Sequence, residues 1–92
     1  MTEQVHHNAD RARFELVVEG QLCRADYRLE GACMNVFHTE VPAALEGKGL
    51  ASKLVRAVFD HARDHGRTVR PTCSYVRAWA RRHPELESLL ET

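Results

Sequence analysis

The chain has 92 residues, 43% hydrophobic and 28% charged, which supplies one core and not two. Thirteen Lys and Arg cancel thirteen Asp and Glu, excluding broad electrostatic coating of nucleic acid while leaving a local basic patch open. No apolar run approaches the ~20 residues needed to cross a bilayer, and residues 1–10 hold no apolar signal core, so no membrane or secretory role is expected.

Residues 1–10 show no periodicity and read as a flexible N-terminal tail before a single domain over 11–92. His6 and His7 have no third metal ligand nearby and belong to that tail. Residues 13–18 read as a strand with Phe14, Leu16 and Val18 on one face. Glu19-Gly20 turns the chain, and residues 21–29 alternate again. Glu30-Gly31 is a second turn. Residues 32–39 form a third strand, with Met34, Val36 and His38 opposing Cys33, Asn35 and Phe37. Period-two alternation broken by glycine turns predicts an antiparallel meander.

The period then changes. Leu50, Ala51, Leu54, Val55, Val58, Phe59 and Ala62 form one helical face, with Lys53, Arg56, Asp60, Arg63 and Asp64 opposite. Gly66 ends that helix. His61 and His65 stand one turn apart but lack the glutamate of a zincin pattern, so a solvated face is expected. Residues 68–73 read as a strand at a sheet edge or a splayed position, since Pro71 removes a donor. Residues 75–82 read as a short helix ended by His83-Pro84, with a further turn over 84–90 and Pro84 at its first position. The order is βββαβα, an α+β fold whose last strand is delivered by a helical crossover.

Chemistry concentrates in residues 39–52, where a strand runs into a glycine-bearing loop and then a long helix. Gly47 and Gly49 let a backbone approach a ligand closely. The first helical amides, at Leu50, Ala51 and Ser52, lack intrahelical partners. The helix dipole and Lys48 add positive charge, so the segment suits an anion such as a pyrophosphate. The spacing is not a Walker A loop. It does not follow the first strand of a parallel βαβ unit, as a dinucleotide fingerprint would. On the loop alone, a helix cap with incidental glycines remains open.

Glu46-Gly47-Lys48-Gly49-Leu50-Ala51 resembles the acetyl-CoA motif of the GCN5-related N-acetyltransferase (GNAT) superfamily, Gln/Arg-x-x-Gly-x-Gly/Ala. Gly49 and Ala51 match it; Glu46 departs from it. His38-Thr39-Glu40-Val41-Pro42, Leu54-Val55, Pro71-Thr72-Cys73-Ser74-Tyr75 and His83-Pro84-Glu85 extend the likeness over residues 13–90. Together they resemble the minimal, single-domain branch of that superfamily. The resemblance implies a small GNAT-like fold that binds acetyl-CoA or CoA. It implies that amides near Thr39 and Val41 hold the pantetheine arm in a splay between two strands. The loop from Gly47 through Lys48, Gly49, Leu50 and Ala51 to Ser52 would then hold the pyrophosphate, with the thioester near Cys73 and Tyr75. Arg77, Arg81 and Arg82 are placed at the adenosine phosphates from charge alone, with a solvated face as the alternative.

The three cysteines are odd in number and form no CxxC, which points to a reducing, cytoplasmic setting. Cys23 and Cys33 read as packing residues. Cys73 precedes a helix, where a dipole lowers a thiol's pKa, and is a candidate acyl acceptor; packing beside pantetheine is the alternative. His38 is a candidate base for the attacking amine, and Glu40 a second. The glutamate base of larger relatives falls by register near Asn35, whose amide cannot serve. Trp79 reads as core, and Tyr75 as a residue that also leans on the cofactor.

The expected activity is acyl transfer from a CoA thioester to an amine. The strands are joined by tight turns, without the helices that wall the acceptor pocket in ordinary members. An open groove suits a protein lysine or chain terminus, and a monomer or weak homodimer. The alternative is a CoA or acyl-CoA sensor or adaptor with little turnover.

Overall fold

A computed structural model describes residues 4–91. Five strands lie in one sheet in chain order: β1 (His6–Asn8), β2 (Arg13–Val18), β3 (Gln21–Glu30), β4 (Cys33–Glu40) and β5 (Thr68–Pro71). The first four pair antiparallel and β5 joins β4 in parallel. A parallel neighbour needs a crossover, and α1 (Leu50–Asp64) is that crossover. α2 (Ser74–Arg81) and a 3-10 segment (Pro84–Leu89) follow β5, with Pro84 in the first turn of the latter. This is the α+β meander-and-crossover fold, with one strand more at its front than the sequence predicted.

The alternation in β2, β3 and β4 sends Phe14, Leu16, Val18, Cys23, Ala25, Tyr27, Met34 and Val36 to one face, against the apolar stripe of α1 and against α2. Each fully buried Leu, Val or Phe contributes about 2 kcal/mol relative to exposure. The β2–β3 turn puts both Glu19 and Gly20 at positive φ, 52° and 75°, the type I′ geometry that matches strand twist. At the far end of α1, Arg67 donates its amide to the Ala62 carbonyl at 2.8 Å across Gly66, which sits at φ 65°; this is the long bond of a Schellman stop. Among the described residues, the opposite sheet face carries no helix. Its side chains include many charged ones, together with Leu22, Cys33, Asn35 and exposed Val17 and Phe37.

Two expectations need correction. The tail through Asp10 is not free: His6–Asn8 pairs with β2, and residues 1–3 lie outside the described residues. His7 holds this strand down. Its ring stacks on Phe14 at 4.3 Å and 8°, and its Nε2 lies 2.6 Å from the Tyr27 hydroxyl. His61 meets His7 at 4.4 Å and stacks on His65 at 4.0 Å, so His61 is drawn into the packing under β1 while His65 stays exposed as expected. The second correction concerns β4. Val36 pairs with Tyr27 and His38 with Asp26, leaving Phe37 opposite nothing. The extra residue is a β-bulge, which shifts the alternation by one. His38 therefore shares the open face with Phe37 and Glu40 instead of joining Met34 and Val36, and Thr39, paired with Ala25, turns to the helix side.

Candidate active site

The β4–β5 ladder ends at Val36 and Pro71. The Val36 carbonyl then accepts two amides, Thr72 at 3.1 Å and Cys73 at 3.0 Å. Past this point β4 continues to Glu40 while the chain after β5 turns into α2. The strands part, and residues 37–40 lose their β5 partner. The vertex is pinned by Asn35, the one buried polar residue among those described. Its carbonyl oxygen accepts from the Thr72 hydroxyl, and its amide donates to Glu30 at 3.1 Å. Fully bonded on both ends, Asn35 is a strap between strands rather than a base.

The loop after β4 faces the same gap. Gly47 and Gly49 sit at φ 85° and 75°, a region that costs other residues about 1 kcal/mol or more. A Cβ at either would meet nothing within 4 Å, so the glycines serve backbone shape and leave the space before them open. Gly49 is the residue before α1, and the first helical bond runs from Lys53 to its carbonyl at 3.2 Å. The amides of Leu50, Ala51 and Ser52 consequently have no helical acceptor.

Between this turn and the end of β4 lies a cleft of about 420 Å³, lined by Thr39, Glu40, Val41, Leu45, Glu46, Gly47, Gly49, Leu50, Ala51 and Tyr75. Seven of the residues expected at the cofactor thus meet in one cleft. Lys48 and Ser52 are not among its walls. Lys48 donates to Glu19 at 3.3 Å, and the Ser52 hydroxyl accepts from Trp79 Nε1 at 2.8 Å. Nothing in the sequence spacing marked those partners, which come from a distant turn and from α2. Arg77 donates to the Thr72 carbonyl at 2.9 Å and with Arg81 lines a separate cavity of about 350 Å³ beside Pro71 and Pro84. Arg77 and Arg81 therefore do not line the main cleft, whereas Arg82 is exposed and its charge reaches Tyr75, which does. The charged walls of the main cleft are Glu40 and Glu46.

Cys73 is half-buried at the splay and is the residue before α2. Its sulfur lies 3.7 Å from the Thr39 hydroxyl. Partial burial is the largest influence and pushes the thiol up. Hydrogen bonding from the Val76 amide, the Thr39 hydroxyl and the Tyr75 and Thr39 backbones together outweighs it and holds the thiol below its ordinary value. Burial pushes the Tyr75 phenol up, with Arg82 opposing, so it stays a neutral O–H donor.

His38 and Glu40 lie together on the open face. Nε2 of His38 is 3.2 Å from Glu40 Oε1, which also accepts from Arg24 at 3.2 Å. The His38 hydrogen bond and the Arg24 charge hold the Glu40 carboxyl below its usual range. An ionised carboxylate only accepts, so Nε2 carries a proton, and in the neutral ring the lone pair falls on Nδ1. Period two alone puts residues 38 and 40 on one face; the bulge at Phe37 decides that it is the open one.

Residues 13–89 match the family model described as GCN5-related N-acetyl-transferase. The chain belongs to this family. The GNAT assignment agrees with the parted strands and the glycine turn at the start of α1. Among similar proteins, Protein NATD1 of Gallus gallus is 31% identical over 84 residues, which cover 88% of this chain and 76% of that one. Protein NATD1 of Homo sapiens is 30% identical over 84 residues, covering 88% and 74%. The NMR solution structure of a GCN5-like protein from Staphylococcus aureus superposes with a TM-score of 0.76 over 96% of this chain and 87% of that chain, at 22% identity. It shares the GNAT fold.

Proposed function

We propose that the protein is an acetyl-CoA-dependent N-acetyltransferase acting on an exposed amine of a protein, a lysine or a chain terminus. The carrying observation is one cleft that joins two sets of main-chain donors: the partnerless amides of α1's first turn and the stretch of β4 past its last β5 pair. The first set suits a diphosphate. The second suits an amide-bearing arm laid in place of a strand, and a donor there can face a developing oxyanion. The empty space before Gly49 fits a group that must approach main chain closely. Bound acetyl-CoA would supply an activated thioester carbon.

The protein's own residues supply the rest. The acceptor enters from the open sheet face, where His38 Nδ1 takes a proton from the amine and Glu40 orients the ring. Tyr75, a neutral phenol, would give its proton to the leaving sulfur as the C–S bond breaks, and the amine deprotonated by His38 would form the new N–C bond. Holding amine and thioester together supplies much of the rate. The lowered Cys73 thiol supports a second route, in which its sulfur takes the acyl group first and passes it to the amine. That none of the three cysteines is in a disulfide supports a reducing, cytoplasmic setting, and the uncovered sheet face fits a monomer or weak homodimer without direct nucleic-acid binding. If turnover is negligible, the same cleft makes the protein a CoA sensor.

Intact-mass spectrometry after incubation with acetyl-CoA and a lysine peptide tests this. Acetylated peptide is expected, reduced at least tenfold by His38→Ala, consistent with losing a general base. An acetyl adduct on Cys73 that chases to peptide identifies the two-step route. Bound CoA with no acetylated peptide at any enzyme concentration would leave the sensor reading in its place.

A further inference from the structure

The open sheet face carries a second feature beside His38, and it bears on which amines are chosen. Its arginines are matched to carboxylates: Arg13 to Glu15, Arg24 to Asp26 and Glu40, and Arg70 to Glu30. Arg28 is the exception. It is exposed and makes no ion pair among the described residues; its guanidinium lies over the Phe37 ring at 5.2 Å. Phe37 is itself 43% exposed, a large apolar ring left in water by the bulge that also turns His38 outward.

An unpaired cation laid on an exposed ring, next to the proton acceptor, is a two-part contact waiting for a partner. The ring face offers apolar area, and stacking keeps the guanidinium's donors directed outward in a fixed plane. Charge complementarity then selects the occupant. The remaining arginines on this face are already neutralised, so an approaching carboxylate finds one open cation. We infer that Phe37 and Arg28 form the acceptor-docking contact of the enzyme, selecting an amine borne on a segment with an acidic residue and an apolar residue beside it. The inference rests on the acyl-transfer reading, because that reading assigns the open face to the acceptor.

The matched carboxylates also reject the opposite charge pattern. A segment rich in Lys or Arg brings like charge to Arg28, and it gains only carboxylates already held by Arg13, Arg24 and Arg70. The pair therefore discriminates by repulsion as well as attraction.

The test is NMR titration of the CoA-loaded protein with two short lysine peptides. One carries Glu and Leu next to the lysine, and the other carries Arg and Leu. Shifts in the Phe37 ring and Arg28 Nε–H signals are expected with the acidic peptide, with affinity about three- to fivefold above the basic one, the scale of one exposed charge contact. Arg28→Glu should invert that order, and Phe37→Ala should weaken both peptides. Both positions are exposed, so an unchanged spectrum elsewhere certifies the fold of each variant. Equal binding of the two peptides, an order that survives Arg28→Glu, or no shift at Phe37 would overturn the inference. CoA loading is read separately from the Gly49 and Leu50 amides. If those signals do not respond to CoA, the acyl-transfer reading fails rather than the docking contact.

Discussion

Each wall residue of the cleft has a separable duty. Gly49 needs its positive φ and leaves its front open, so Gly49→Asp combines backbone strain of about 1 kcal/mol with a negative charge facing the proposed phosphate cradle. Glu46 acts in the opposite sense. It lines the cleft where the superfamily motif has Gln or Arg, and a carboxylate there opposes an anion. Glu46→Gln should tighten CoA binding about threefold in low salt, less at high salt, measured by isothermal titration; unchanged or weaker binding would remove Glu46 from the site. Cys73 is tested by alkylation rate against pH. The thiol should react at lower pH than a free cysteine, and Thr39→Val, which removes the hydroxyl beside the sulfur, should move the profile upward. Cys23 and Cys33 are buried and should stay silent in the native protein.

At the scale of elements, two contacts tie remote segments to the site. Trp79, the chain's single tryptophan, packs on Phe59 and His83 and donates to Ser52 in the first turn of α1. Its fluorescence should change when CoA binds. Trp79→Phe keeps the stack but frees Ser52, with an expected loss of about 1 kcal/mol in chemical denaturation. The other contact holds β1. Burial, then the charges of His7, His65 and Arg67, lower the His61 pKa from 6.5 to about 4, with Asp64 opposing; burial, Arg67, His65 and His6 lower that of His7. Between pH 6.5 and 4 the unfolded chain binds more protons at these rings than the native one does, so stability is full above that window and falls as pH drops through it. Thermal melts at pH 7 and pH 5 should show the loss, and His61→Leu should make it smaller. The main elements were legible because their signals are local: alternation in β2 and β3, one apolar stripe in α1, glycines at its ends. β1 was not, because its three residues gain their place from Phe14, Tyr27 and His61, the last far along the chain. The bulge at Phe37 was not, because a single extra residue leaves no mark in an alternating pattern.

For the whole molecule, one sheet face carries the core and, among the described residues, the other is left uncovered. Both α-helices pack on the first, and the parted end of β4 and β5 opens between the two. The cleft at the start of α1 was legible from the glycine spacing of residues 46–51, whose glycines do take the positive φ expected of them. The roles of Lys48 and Ser52 were not, because the partners that claim their side chains, Glu19 and Trp79, come from other layers. Phe37, Arg28 and His38 show why the proposed acceptor side was hardest to read: which charges remain unmatched is settled only once the sheet has formed. The account as a whole depends on the main-chain cradle at the start of α1. Titration of the native protein with CoA, followed by amide NMR, tests it most directly. Saturable shifts at Gly47, Gly49, Leu50 and Ala51 and along residues 37–41, together with a raised melting temperature and loss of both in Gly49→Asp, are the predicted result. Binding that leaves those amides unmoved, or that survives Gly49→Asp unchanged, would contradict it.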